Sequence, residues 1–507
     1  MIAGVQNPWR VVVAALALVL LALLSVVAAM TLEGFFADLS RGVMALAALG
    51  ALVAGLALLQ PTWLLWIVTA LTLVLVGLVN YFVPGTGMLT WASYVAAGLL
   101  FVPAFAALLG GKAPLRSGAG SGLVLVCLSF FLLAVVISWS LSPPSLRVLL
   151  GAIKNWAMFA AIWAFFALYP LESRWVATWL KGLLFIALVQ WAPILYQTLV
   201  VGTAKQSLGQ PLSPDSVTGT FGGSPDGGGL APVLALFLVS VSAVLFALHR
   251  RKVVSYQALT ALVGVLWLLL LFMEEKIIFF YIPIALLFVY RDYLLKRPLA
   301  FLGGTAAVFT VLVLILVGYT ALHWAERDKT PWQSLTYSFR IETSYQQKLE
   351  GFLTRPGVVL FWWEQHAVKD ATELFFGHGL GASRTGGSIL GDAAKENEPW
   401  WIDRTTLSAL LWDLGVFGTV SFYALLGALI LMAGALARNA SLLPWQTGLA
   451  AGLQASVPLF AMSTLYRNDL PYAAPMVFLF MALIGLLWWL HRRTILNYLS
   501  GRRLAVT

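Results

Sequence analysis

The chain has 507 residues, 61% of them hydrophobic and only 10% charged, with a formal net charge of +10. Its mean hydropathy is +0.89, and because soluble domains carry about 25% charged residues, this composition excludes an ordinary soluble domain and points to a polytopic membrane protein. The basic excess does not indicate nucleic acid, since Lys and Arg cluster in short loops between apolar runs, the distribution that orients helices in a bilayer.

A spanning helix needs about 20 mostly apolar residues, and by that measure the chain holds about fourteen. They cover residues 11–30, 43–60, 63–83, 90–110, 122–141, 148–168, 176–201, 229–248, 257–273, 277–290, 299–322, 405–436, 445–463 and 472–490. The first follows Arg10 without a small-residue cleavage site and a soluble domain behind it, so it reads as a retained helix rather than a signal. Gln60-Pro61-Thr62 and Pro84-Gly85-Thr86-Gly87 read as tight reversals, because Pro and Gly break helices. Cys127, the single cysteine, falls inside an apolar run, so no intramolecular disulfide can form. The expected fold class is therefore an all-α polytopic membrane protein. It divides into an N-terminal bundle (1–322), a long loop (323–404), and three terminal helices with a tail (405–507).

Orientation follows from counting cations loop by loop. With Arg10 in the cytoplasm, the cytoplasmic loops hold Lys112/Arg116, Arg174, His249-Arg250-Arg251-Lys252, Arg291/Lys296/Arg297, Arg438 and the tail Arg492-Arg493…Arg502-Arg503. Both termini are expected inside and the long loop outside. Within that loop, Trp332 to Phe352 and Gly357 to Phe375 read as helices lying on the membrane, the second with Phe361, Trp362 and Trp363 on its interfacial face. Thr385 to Glu398, polar and Gly-rich, reads as a flexible segment.

Three constellations are candidates for chemistry. Lys205 to Gly229 contains Thr218-Gly219-Thr220-Phe221-Gly222-Gly223-Ser224-Pro225-Asp226 followed by three further glycines. Such backbone approaches a ligand closely and offers N–H groups to an anion; the plainer reading is a flexible connection. Glu274-Glu275-Lys276 sits where two apolar runs meet almost without a loop, an expensive place for charge. It reads either as a site for a phosphate or a sugar hydroxyl, or as an interfacial ion pair. The long loop supplies Arg340, Arg355, Arg384 and Arg404, whose guanidinium forks match phosphate, together with Asp403, His366 and His378. Either histidine suits a general base or a structural role. No His/Cys spacing of a metal site and no Asp-rich loop is visible, so metal-independent chemistry without a cofactor is expected.

The plan of many helices, one long loop and three last helices resembles the O-antigen ligase and O-antigen polymerase family of bacterial envelope glycosyltransferases. The resemblance rests on Thr218-Gly219-Thr220-Phe221-Gly222 with Pro225, on Arg355…Leu360-Phe361-Trp362…Phe376-Gly377-His378-Gly379-Leu380-Gly381, and on Leu407…Trp412-Asp413-Leu414-Gly415-Val416-Phe417-Gly418. Where the ligases carry a His-Asn pair eleven residues before the glycine matching Gly415, this chain has Arg404-Thr405, a spacing that resembles the polymerases. The arginine that often precedes Thr-Gly-Thr-Phe is Ser216 here.

The resemblance implies an inner-membrane enzyme with a periplasmic site. It would transfer a glycan from undecaprenyl diphosphate to a hydroxyl of a second lipid-linked repeat unit, with inversion, beside a protein that regulates chain length. Arg404, Arg355, Arg340 and Lys276 are expected on the diphosphate, with Glu274, Lys205 and Arg384 as further substrate contacts. Glu275, Asp403 and His378 are the candidate bases. The alternatives are ligase-type transfer to lipid A core or protein, and a transporter of lipid-linked sugars. A transporter needs charges at mid-membrane depth, and the only lysines near apolar stretches, Lys154 and Lys181, read as reaching an interface instead.

Overall fold

The computed structural model describes residues 60–83, 89–111, 120–208, 216–273, 275–299, 353–367, 370–386 and 389–504, besides Gly55 and scattered helical positions between 302 and 317. Every regular element among them is helical. The apolar runs form α1 (Pro61–Phe82), α2 (Thr90–Leu109), α3 (Ser121–Leu141), α4 (Leu146–Leu168), α5 (Ser173–Lys205) and α6 (Ala231–Arg250). Next come α7 (Tyr256–Phe272) and α8 (Ile278–Lys296). After the long loop follow α12 (Thr406–Ala437), α13 (Pro444–Tyr466) and α14 (Ala474–Leu504). Nine helices among the described residues are long and apolar enough to cross a membrane. The expected span 11–30 and nearly all of 43–60 lie outside the description, and 299–322 is described only at Leu299 and at scattered helical positions.

The core is helix on helix. α13 packs between α6, α8 and α12, α14 lies along α4, and α3 along α12. The terminal helices are thus built into the N-terminal bundle rather than beside it. α14 buries 89% of its spanning window whereas α3 buries 22%, so α14 is central and α3 faces the surroundings. Small residues permit the close contacts: a Cβ on Gly452 of α13 would lie 2.5 Å from the Val244 backbone of α6.

The long loop departs from its expected form. The stretch expected as one helix from Gly357 to Phe375 is two, α9 (Arg355–His366) and α10 (Ala371–Phe376). The break falls where Asp370 accepts hydrogen bonds from the backbone N–H groups of Thr372 and Glu373 and caps a new helix. Trp362 is not interfacial but buried at 3% exposure, packing with Ala382, Ile402 and Trp412 in a small second core. The stretch expected to be flexible, Thr385 to Glu398, contains the short helix α11 (Asp392–Glu396), whose Ala393 and Ala394 enter that same core. The expected helix Trp332 to Phe352 lies outside the described residues.

Candidate functional site

The Thr-Gly-Thr-Phe segment is not a flexible connection. Ser216, Thr218, Thr220 and Phe221 are buried, and irregular backbone at this depth requires internal partners. Two glutamines of α5 supply them. Gln197 accepts from the N–H groups of Thr218 and Gly219 at 2.9 and 2.8 Å and donates to the Gly219 carbonyl. Gln190 accepts from the N–H of Thr220 at 2.9 Å and donates to its hydroxyl, which in turn donates to the Leu73 carbonyl. Both helices widen to a π turn here, at Leu71–Leu75 in α1 and Tyr196–Val201 in α5, as helices often do at functional sites. Gly77 lets the loop sit directly on α1, since a Cβ there would lie 2.2 Å from the Thr220 carbonyl oxygen.

Above this loop lies a cavity of about 360 Å3. Asn80, Thr90 and Ser93 of α1 and α2 line one side, Gly222, Gly223 and Gly228 another, and Arg467, Asp469 and Tyr472 the third. The last three belong to the turn between α13 and α14, on which the remaining polar elements converge. The Arg467 guanidinium donates to the Gly229 carbonyl at 3.0 Å and pairs with Asp469 at 3.4 Å, while its own carbonyl accepts from the N–H and hydroxyl of Thr406. Arg355 donates to the Tyr466 carbonyl at 2.6 Å and stacks over the Tyr466 ring. Arg384 stacks over Tyr472 at 5.2 Å. Asn155 of α4 holds the turn by donating to the Pro471 carbonyl at 2.7 Å. Lys154, one residue earlier, rests over Trp91 at 4.5 Å and lies in the field of Arg384.

Asp403 stands beside this turn, next to Asn468, and accepts from the backbone N–H and the hydroxyl of Thr385. Burial raises its pKa above the ordinary carboxylate value, against the lowering effect of those hydrogen bonds. The Tyr472 phenol is pushed well above its usual range by burial first, then by the negative fields of Asp413 and Asp403. Asp413 is the anchor of the glycine run. It accepts from the N–H groups of Gly381 and Ser383 at 2.7 and 2.8 Å, and its carbonyl accepts from Ser138 and Gly379.

The expected site residues therefore separate into groups. Arg355, Arg384 and Asp403 meet at the Arg467 turn, and half-buried Arg404 adjoins Asp403 just before the cap of α12. Glu275 and Lys276 are buried at 0% and 9% exposure beneath it, where the fields of Glu275 and Asp469 both reach Tyr281. Lys205 is not at the cavity as an anion ligand: it donates to the Pro225 carbonyl at 2.6 Å and to Asp226 at 2.7 Å, fastening the glycine loop to the end of α5. His378 turns away to His366, at 2.9 Å between Nε2 atoms. Arg340 and Glu274 lie outside the described residues.

Arg467, Asp469 and Tyr472 were not expected at the site. Their signal in the sequence was two charges and an asparagine compressed into a short turn between two spans. A scan against protein-family models finds no match for this chain, and a search of curated proteins finds none either.

Proposed function

We propose that this chain is a membrane glycosyltransferase that uses a polyprenyl-diphosphate-linked glycan, of the polysaccharide-polymerase type. The observation that carries the reading is the cavity of about 360 Å3, lined by both polar and apolar groups, with glycine backbone facing Arg467. Ligand pockets run from about 300 to 1,000 Å3, so a diphosphate with its first sugar is of suitable size. Arg384 and Arg355 flank the same turn, and the lipid tail of such a donor requires apolar helix faces at the same depth.

In the proposed reaction, the bond from the anomeric carbon to the diphosphate oxygen breaks as the acceptor hydroxyl attacks from the opposite face, which inverts the carbon. The diphosphate leaves with the bonding pair, and the hydroxyl proton passes to Asp403. A diphosphate is already a good leaving group, so guanidinium groups fixed by hydrogen bonds and aromatic stacking suffice to meet its developing charge. Of the candidate bases, Glu275 lies beneath the turn and His378 is paired with His366, which leaves Asp403 as the candidate that stands beside Arg384 and Arg404, while the Asp469 carboxylate is paired with Arg467. We place the site on the periplasmic face of the inner membrane, with both termini cytoplasmic.

The test is transfer by purified protein from undecaprenyl-diphosphate repeat units, resolved on a gel. A ladder of lipid-linked products supports the polymerase. Label moved only to added lipid A core indicates a ligase, and neither product from a matched native substrate favours a transporter.

A further inference from the structure

His366, Glu373 and His378 take no part in the proposed transfer, yet the fold brings them together. They come from the last turn of α9, from α10 and from the glycine run after it. This set has no metal-ligand spacing in the sequence because it is dispersed along two helices and a turn, and only the break at Asp370 folds it together.

The His366 Nδ1–H donates to the Trp362 carbonyl at 2.7 Å, which leaves Nε2 with the ring's lone pair. That atom faces Nε2 of His378 at 2.9 Å. The Glu373 carboxylate lies alongside, 4.0 Å from His366 Nε2 and 3.6 Å from Nδ1, the other ring nitrogen of His378, and one ligand atom from each residue lies within 4.8 Å of the others. Zinc–nitrogen bonds of about 2.0–2.1 Å in a tetrahedron place two nitrogens about 3.4 Å apart. The rings thus need to part by only about half an ångström.

Their orientation is fixed in advance. His366 stacks on Trp362 and meets Trp412 edge-on, while His378 stacks on the same Trp412, and its backbone N–H is held by the Trp412 carbonyl at 2.9 Å. Two imidazole nitrogens facing each other are joined either by a hydrogen bond, with the Nε2–H of His378 donating to Nε2 of His366, or by a metal ion. A side-chain exposure of 37% at Glu373 gives an ion a way in.

We propose that His366, Glu373 and His378 form a three-ligand site for a divalent transition-metal ion. Zinc best matches two imidazoles and a carboxylate, with a fourth position open to water or a ligand. The Nδ1–H bond to a backbone carbonyl is the outer support that metal-bound histidines generally have. Bound there, the ion clasps α9, α10 and the glycine run to Trp412, directly before the Asp413 anchor.

The test uses tag-free full-length protein in detergent, dialysed against chelator and titrated with Co(II), then with Zn(II) in competition. We expect uptake of about one Co(II) per chain with a visible ligand-field band that zinc abolishes, and affinity at least about tenfold weaker in Glu373→Gln. The double variant His366→Asn/His378→Asn should show no band, and zinc should raise the Tm of the parent chain but not of the double variant. If the double variant fails to fold, Glu373→Gln and Glu373→Ala carry the decision, since this side chain is partly exposed. Absence of the band in the parent chain, or equal uptake by the variants, would mean that the histidines share only a proton and would overturn the site.

Discussion

Arg467 joins parts of the chain that are far apart, binding the carbonyl of Gly229 across 238 residues while its own carbonyl receives Thr406. Replacing it with Ala should lower transfer by at least about 100-fold, the scale set by removal of one preorganised donor. Arg467→Lys should recover little, because a single ammonium cannot reach Gly229, Asp469 and an anion together. Rates from the gel assay, normalised to monodisperse protein, check both. Asp403 makes a pH prediction. Its folded pKa is raised above the ordinary 3.8, so between 3.8 and the raised value the folded chain holds a proton that the unfolded chain releases. Raising the pH through that window costs stability while it creates the base. The acid limb of the transfer rate should therefore lie above 3.8, and Asp403→Asn should abolish the limb along with most of the activity. A fully active Asp403→Asn chain would remove Asp403 from the mechanism. The arginines and Asp403 were legible in the sequence as charges in an outer loop. Which of them meet was not, because their common partner is a turn more than sixty residues further on.

Among the helices, α12 is interrupted by Gly415, whose φ of 63° and ψ of −165° lie off the helical path. It crosses Gly377, with φ of 71°, at backbone contact. A Cβ on Gly415 would lie 2.4 Å from the Phe375 carbonyl carbon, and one on Gly377 2.5 Å from that of Asp413. Both the positive φ and the contact penalise a side chain, so Gly415→Ala should cost about 2–4 kcal/mol and lower the Tm in detergent. Gly77 differs in being ordinarily helical, and its penalty is contact alone. Gly77→Ala would push the Thr-Gly-Thr-Phe loop off α1, and should impair transfer more than it lowers Tm. In the sequence, Gly377 and Gly415 stand out only through a resemblance to a family's motifs. Their reason, two backbones crossing, became visible only when both partners were in place. The break between α9 and α10 is similar, since Asp370 as a cap competes with a continuous apolar helix and wins through the burial of Trp362 behind it.

Across the whole molecule, polar elements separate to the two ends of the bundle. One end holds the glycine loop, the described part of the long loop from residue 353 on, and the Arg467 turn. At the other, Arg250, Arg251, Arg291 and Arg438 surround a cavity of about 150 Å3. There Arg251 donates to the Ala437 carbonyl and Arg492 to those of Leu168 and Tyr169, satisfying open helix ends. With Cys127 replaced by Ser, a cysteine at exposed Asp226 should react with a membrane-impermeant maleimide in intact cells, and one at Asn439 only after lysis. The reverse pattern would invert the proposed orientation.

What the sequence determined by itself was the medium and the elements. Apolar runs of bilayer length fix where helices form, because backbone polar groups in hydrocarbon must be paired within the segment, and the distribution of Lys and Arg indicates their ends. The convergence of α5 glutamines on a buried loop, of Arg355 and Arg384 on the Arg467 turn, and of two histidines on each other was decided by the tertiary structure. Side-chain contacts between helices depend on which faces meet, and that is settled by packing over the whole bundle rather than by any local run of residues.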